Sequence, residues 1–257
     1  MLKNNLITNR QGEAIDYTFY PSSRANVLVI LGHGVTGNKD RPLITAIATG
    51  LAAEGWPCLA LSFSGNGASG GTFENSTIAK ETADLQAVLG MVLNEVKIAY
   101  IGHSMGAAVG VLTAARDMRI STLISLAGMT HTAAFVAREF GEITPGAGFM
   151  WQDAHCPLSP AYVQDLKQIG TTLAAAEALP QPWLLIHGGE DDVVPTQDGR
   201  DAYEAATGVK QWLEIPGEAH SFSPQSYPVI VQTVASWLKL HLAEIDERAA
   251  TDPPMFV

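Results

Sequence analysis

Short, continuous apolar runs recur along the chain, and segments with helical periodicity separate them. Runs that are apolar at every position are typical of strands covered on both faces of a parallel sheet. The predicted strands are 27–31, 58–63, 98–101, 122–126, 183–186 and 211–215, and the predicted helices are 41–54, 76–94 (with Ser76 as its candidate N-cap), 105–117, 198–206 and 228–244. This alternation predicts an α/β fold with a mostly parallel central sheet and helices on both faces.

The alternation is interrupted in two places. Near the amino terminus, residues 6–8 and 15–19 flank a turn at 9–12, which predicts an antiparallel hairpin on one edge of the sheet. Between 128 and 181, prolines, glycines and aromatic residues replace the regular pattern. We interpret 128–181 as a cap insertion over one end of the sheet, with 1–127 and 182–257 forming the core. Two ordinary crossover helices with long loops are the alternative.

Charge and hydropathy exclude several classes of partner. The chain of 257 residues has 15 basic and 26 acidic side chains, a net charge of −11, which disfavours nucleic acid and anionic membranes as partners. Neither a signal peptide nor an apolar stretch long enough to span a membrane is visible, so we expect a cytoplasmic protein. The sequence does not indicate the oligomeric state, although the apolar tail 253–257 could pack on a neighbour or on the protein's own body.

The two cysteines are too few for a disulfide framework. Cys58 lies in an apolar run and is expected to be a reduced core residue, whereas the sequence indicates no place for Cys156. No cluster of His, Cys or Asp has the spacing of a zinc site, so we expect no metal and no other cofactor.

Two glycine motifs, at 32–37 and 65–70, match the G-x-G-x-x-G fingerprint of dinucleotide-binding proteins. That fingerprint also requires a carboxylate about twenty residues on, at the end of the next strand, to bind the ribose. The strand after the first motif ends Leu-Ser-Phe-Ser and the one after the second ends Tyr-Ile-Gly, so neither supplies the carboxylate. We therefore do not interpret these glycines as a nucleotide site.

A single G-x-S-x-G motif, Gly102-His103-Ser104-Met105-Gly106, follows the predicted strand 98–101 and precedes an Ala-rich helix. This strand–turn–helix context is that of the nucleophile elbow, a tight turn that presents a serine hydroxyl above the sheet. The start of the following helix also directs N–H groups toward developing negative charge. Ser104 is therefore the candidate nucleophile, and an ordinary glycine-rich turn is the alternative.

A serine nucleophile requires a base, and the base requires an orienting acid. In the order Ser, Asp, His, the loop after strand 183–186 supplies Asp191 and the loop after strand 211–215 supplies His220. Both lie at carboxyl ends of strands, where open α/β sheets place their sites. From position alone other residues remain possible: for the acid, Glu190, Asp192 and Asp198; for the histidine, His33, His103, His187, His131, His155 and His241.

Together, Gly32-His33-Gly34, the Ser104 motif, His187-Gly-Gly-Glu-Asp191 with Val-Val-Pro after it, and the late His220 resemble the α/β-hydrolase superfamily. Residues 33–39 and 64–74 further resemble the bacterial cinnamoyl and feruloyl esterases, whose small cap lies between the sixth and seventh strands. The resemblance implies Asp191 as the acid of the triad. It also implies that the amides of Val35 and Met105 form the oxyanion hole, with Val35 standing where related esterases often carry an aromatic residue.

The sequence and the resemblance together predict a cofactor-independent serine ester hydrolase acting on hydroxycinnamoyl or other small esters. Polar and aromatic side chains of the insertion are candidates for substrate binding, namely Trp151, Gln152, Asp153 and Tyr162. A fold and a triad do not select the substrate, so a thioesterase or short-chain acyl hydrolase is the alternative within the class. Outside it, a receptor that keeps the triad but hardly turns over is the competing hypothesis, with a dinucleotide oxidoreductase third.

Overall fold

The computed structural model describes residues 1–3 and 6–242, so the tail 253–257 lies outside the described residues. Its centre is a seven-stranded sheet in the order β1-β3-β2-β4-β5-β6-β7, in which β2 to β7 run parallel and β1 is antiparallel to β3. The strands are β1 (Tyr17–Tyr20), β2 (Val27–Gly32), β3 (Cys58–Leu61), β4 (Lys97–His103), β5 (Ile120–Leu126), β6 (Trp183–Gly188) and β7 (Lys210–Ile215). The predicted mostly parallel α/β sheet is confirmed.

Helices cover both faces of the sheet. They are α1 (Pro42–Ala53), α2 (Ile78–Met91), α3 (Met105–Ala114), α4 (Thr132–Phe140), α5 (Pro160–Ile169), α6 (Leu173–Glu177), α7 (Thr196–Ala205) and α8 (Tyr227–Leu242). Alternate residues of β2 belong to separate cores: Leu28 and Ile30 pack with α2 and α3, while Val29 and Leu31 pack with α1 and α8. This two-sided burial explains why β2 has no polar side chain at any position. None of the helices in the described part is long and apolar enough to cross a membrane.

The amino-terminal hairpin differs from the prediction. A short antiparallel hairpin is present, with a bridge between Thr8 and Ala14 and a bond from the Ile15 amide to the Ile7 carbonyl at 2.9 Å. The Asn9 side chain occupies the turn, accepting bonds from two backbone amides, and the chain then leaves to pair with β3. The edge position is as predicted, but the hairpin is shorter than predicted because residues 17–20 pair with the open edge of β3.

Residues 128–181 connect β5 to β6 and carry α4, α5 and α6 without adding a strand to the sheet. Their buried side chains, including Phe135 and Phe140, are continuous with the core beneath α2 and α3. The Asp165 carboxylate accepts a hydrogen bond from the Ala79 amide at 3.1 Å and so joins α5 to the start of α2. The segment is therefore packed on the body of the protein, and its role as a cap stays a prediction.

The start of α2 carries a buried carboxylate. The predicted N-cap, Ser76, is wrong: the helix begins at Ile78, and the Thr77 hydroxyl accepts from the Lys80 amide. Ser76 instead donates to Glu81 at 3.0 Å, and the other carboxylate oxygen of Glu81 is buried without a partner among the described residues. Burial raises the pKa of Glu81 well above its ordinary value.

We expect Glu81→Gln to become more stable than the wild type as the pH rises. Below about pH 4.5 the acid is protonated in both states, but above it the unfolded chain ionises while the folded chain resists, which favours unfolding. The difference in free energy of unfolding should grow by at most about 1.4 kcal/mol per pH unit, measured by urea denaturation from pH 4 to 8. The exposed Glu74→Gln is the matched control, and a difference independent of pH would contradict the assignment.

Candidate active site

The carboxyl ends of the parallel strands β2, β4, β6 and β7 border one cavity of about 530 Å³. Ser104 follows β4, the loop containing Val35 follows β2, and the loops after β6 and β7 bring Val193 and His220 to the same cavity. A cavity of this size accommodates a small organic molecule. The site is thus built from residues far apart in sequence that the parallel topology brings to one edge.

Ser104 occupies a strained turn between β4 and α3. Its backbone has φ 54° and ψ −120°, a region that side chains other than glycine rarely adopt. A Cβ at Gly102 would lie 2.4 Å from the Gly106 carbonyl carbon, and one at Gly106 would lie 2.5 Å from the His33 carbonyl oxygen. Both glycines of the motif are therefore required by close backbone packing, which forces Ser104 into the turn.

Asp191 is a fully enclosed carboxylate. One oxygen accepts the amides of Val193 and Val194 at 3.0 and 2.8 Å, and the other lies 2.9 Å from His220 Nδ1 and 3.2 Å from His187 Nε2. Burial by itself would raise the pKa of Asp191, but the hydrogen bonds from His187, His220 and the Val194 amide and the charge of His220 outweigh it and hold the pKa below its ordinary value. The site thus keeps this carboxylate ionised.

His220 is the histidine that combines a hydrogen bond to Asp191 with a second ring nitrogen that remains an acceptor. Its Nδ1–H donates to Asp191, so Nε2 of the neutral ring is an acceptor, and His220 lines the cavity with Ser104. The neighbouring rings are committed elsewhere: His103 Nε2 donates to the His220 carbonyl oxygen at 3.1 Å, and His33 Nε2 accepts the Phe63 amide at 3.0 Å. Burial lowers the pKa of His103 to about 3 and that of His33 to about 4, so both are neutral at physiological pH.

Two backbone segments approach the hydroxyl of Ser104. Met105 is the first residue of α3, where amides lack partners within the helix. The loop after β2 is held against Ser104 so closely that a Cβ at Gly34 would lie 2.8 Å from the Ser104 Cβ. Val35 follows directly and lines the cavity. The two residues predicted for the oxyanion hole therefore lie on the two segments that adjoin Ser104.

Comparison with known proteins agrees with this architecture. Residues 27–149 match the family described as alpha/beta hydrolase fold. The chain has the α/β-hydrolase fold. It is 23% identical over 257 aligned positions to a monoacylglycerol lipase of Mycolicibacterium smegmatis, covering 86% of this chain and 91% of the lipase.

Two solved structures superpose over nearly the whole chain. Est1E from Butyrivibrio proteoclasticus with bound ferulic acid has a TM-score of 0.80 at 21% identity, covering 94% of this chain and 100% of Est1E. The esterase Pf2001 of Pyrococcus furiosus has a TM-score of 0.69 at 21% identity, covering 94% of this chain and 93% of the esterase. At these identities the likeness establishes the shared fold.

The four residues predicted to bind substrate lie at different positions relative to the cavity. Trp151 lines the cavity, with a left-handed backbone (φ 46°), and its indole N–H donates to Glu139 at 3.1 Å. Gln152 and Asp153 are exposed and lie outside the cavity lining. Tyr162 is buried in the core beside α4, with its hydroxyl unpaired among the described residues. The structure thus brings only one of the four to the cavity.

The alternatives to Asp191 and His220 have other partners or positions. Asp198 accepts the amides of Thr130 and His131 at 2.8 Å and so fixes the start of α4, while Glu190 and Asp192 are exposed. His131 contacts Asp201 at 2.7 Å, His155 is exposed, and His241 packs on Trp237. Cys58 is a buried free thiol of β3 and Cys156 a buried free thiol of the 128–181 segment. No group of three potential metal ligands occurs in residues 1–3 and 6–242.

Sequence reasoning missed part of the cavity wall. The cavity is also lined by Arg41, the first turn of α1, Val193 and Tyr227. Their positions next to the predicted site loops were visible in the sequence, but which side chains turn inward depends on how separate loops pack. His187 was one of several alternatives, and the structure places it 3.2 Å from the carboxylate of Asp191.

We expect Asp191→Asn to lower the free energy of unfolding by about 1–3 kcal/mol at pH 7, because the neutral amide cannot replace the charge-assisted hydrogen bonds. A carboxylate whose folded-state pKa is lowered contributes stability above its unfolded pKa, and this stability is lost as pH falls through the folded-state value. The difference from wild type should therefore shrink below about pH 4 in urea denaturation series. Asp192→Asn, one residue along and exposed, is the control and should show neither effect.

Proposed function

We propose that this chain is a cofactor-independent serine ester hydrolase with Ser104, His220 and Asp191 as its catalytic triad. One observation carries the proposal: a strained serine opens onto the same cavity as a histidine whose other nitrogen donates to a buried carboxylate at 2.9 Å. This is the arrangement in which a weak hydroxyl nucleophile is activated by an oriented base. The likeness to esterases and a monoacylglycerol lipase supports ester hydrolysis as the reaction class.

The proposed reaction proceeds through an acyl-enzyme. Ser104 Oγ attacks the ester carbonyl while His220 Nε2 accepts its proton, and Asp191 holds the Nδ1–H tautomer and stabilises the imidazolium. The tetrahedral intermediate collapses as His220 protonates the leaving alcohol. A water molecule then attacks the acyl-enzyme with His220 as base, and the acid product and Ser104 are released.

The amides of Val35 and Met105 are the proposed donors to the tetrahedral oxyanion. Loss of one such donor typically lowers turnover by about 10²–10³-fold. His33 supports this arrangement, because its Nε2 accepts the Phe63 amide and its Nδ1–H donates to the Gly34 carbonyl at 2.8 Å. A neutral ring fastened at both nitrogens holds the loop that carries Val35.

The cavity lining supports a small and partly apolar substrate. Most of its wall is uncharged, and it includes one aromatic side chain of the 128–181 segment, Trp151. We propose that this segment is a cap that shapes the pocket for the acyl or alcohol group, which includes hydroxycinnamoyl esters. A thioester or short-chain acyl substrate would use the same triad.

Ser104→Ala should abolish nearly all cleavage of 4-nitrophenyl acyl esters and methyl hydroxycinnamates, because the hydroxyl is the only atom that forms the acyl bond. The measurement is kcat/KM across the panel, with circular dichroism to verify folding. Ser236→Ala, an exposed serine of α8, is the matched control and should retain wild-type rates.

Each outcome of this panel discriminates between the functions. Retention of more than a few per cent of activity in Ser104→Ala would exclude Ser104 as the nucleophile. The preferred acyl group separates aromatic from short aliphatic substrates. If the wild type cleaves nothing and a fluorophosphonate leaves Ser104 unlabelled, the ester hydrolase is wrong and a ligand receptor becomes the better hypothesis.

A further inference from the structure

Arg41 is the only Lys, Arg, Asp or Glu side chain among the described residues that line the cavity. It immediately precedes α1, and Pro42, Leu43 and Ile44 of that helix form the adjacent wall. The first turn of a helix carries partial positive charge from its free amides. A full positive charge and a helix start of the same sign therefore stand together at one side of an otherwise uncharged cavity.

The guanidinium of Arg41 is anchored but not neutralised. Its Nη2 donates to the Thr36 carbonyl at 2.8 Å, which leaves most of its five N–H donors available. No salt bridge to it occurs within residues 1–3 and 6–242. The nearest acid in sequence, Asp40, is bound through both oxygens to Lys39 Nζ at 3.0 and 3.1 Å.

The carboxylate bonded to Trp151 of the cavity lining is also committed. Glu139 accepts from Arg138 at 3.0 Å and from the indole of Trp151 at 3.1 Å. The charge of Arg41 also influences two titratable groups. Burial lowers the pKa of His33 and raises that of Cys156 to about 11, and in each case Arg41 favours the more negative form of the group. The charge thus reaches both the loop beside Ser104 and the 128–181 segment.

We propose that Arg41 binds an anionic group, a carboxylate in the first instance, on the ester that this site cleaves; the inference rests on the proposed function. The Arg41 side chain is exposed to solvent where it borders the cavity, so it attracts an anion without excluding a neutral ligand. A carboxylate can form a bidentate, charge-assisted pair with its free N–H donors. Arg41 is thereby a specificity-determining residue, and the preferred substrates are esters that carry a second, ionised acid.

The test compares esters that differ only in this charge, with the carboxylate on either side of the scissile bond. The acyl pair is the 4-nitrophenyl monoester of adipic acid and 4-nitrophenyl hexanoate, and the alcohol pair is 4-carboxyphenyl butyrate and 4-carbamoylphenyl butyrate. The readout is the ratio of kcat/KM for the anionic ester to that for its neutral partner. In Arg41→Gln this ratio should fall about tenfold or more for at least one pair.

Two further variants make the comparison specific. Arg116→Gln removes the same charge from an exposed position beyond the far end of α3 and should leave the ratio unchanged. Arg41→Lys should recover part of the preference, because the ammonium keeps the charge but loses the two-pronged geometry. An unchanged ratio in Arg41→Gln for both pairs, or an equal fall in Arg116→Gln, would overturn the proposal while leaving serine-dependent cleavage intact.

A binding measurement on a protein that cannot turn over its substrate tests the role of Arg41 independently of the reaction. Calorimetric titration of the Ser104→Ala protein with 4-carboxyphenyl butyrate and its carbamoyl partner measures the preference for the anion directly. We expect this preference in Kd to fall about tenfold when Arg41→Gln is added. Absence of any serine-dependent turnover would refute the ester hydrolase, whereas equal affinity for anion and amide would refute the role of Arg41.

Discussion

The close backbone packing around Ser104 is the constraint on which the rest of the site depends. The β4–α3 turn, the end of β2 and the loop at Gly34 approach each other at distances that no additional Cβ would permit. Residues held in such backbone conformations cost of order 1–3 kcal/mol and persist only where the surroundings over-determine them. Here the Ser104 amide donates to the Leu126 carbonyl at 2.9 Å, and the Ser104 carbonyl accepts from Ala107 and Met129. The sheet thus sustains a local strain that leaves one hydroxyl facing the cavity.

Hydrogen bonds, rather than the positions of the rings, distinguish the histidines around that hydroxyl. His33 is buried and His103 half-buried beside it, and backbone groups hold both as neutral rings of low pKa. His220 alone combines a carboxylate partner with a place on the cavity wall. His187 contacts the same carboxylate from the other side and also donates to the Val194 carbonyl, which steadies the Asp191 loop. One acid can therefore serve two rings while only one of them faces solvent.

The sequence was informative where a local pattern determines a local structure. Two-sided burial gives continuous apolar strands, and all six predicted parallel strands are present, because that pattern depends on the sheet alone. The hairpin is shorter than predicted because pairing at an edge depends on which neighbour offers the longer ladder. Tyr162 was grouped with Trp151 because both are aromatic residues of one segment, yet the first packs into the core and the second lines the cavity. Tertiary packing decides whether such a side chain enters the core or lines the cavity.

The unequal burial of the strands has a consequence for how the site loses its active geometry. All six residues of β2 are buried, whereas β7, at the edge of the sheet, has none fully buried. The loop that follows β7 carries His220, so this histidine depends on an edge strand without a fully buried residue, while Ser104 follows β4, whose five central residues are buried. Edge opening near β7 would disengage the base with the serine turn still formed. We therefore expect inactivation by this route to be local and reversible and to precede global unfolding.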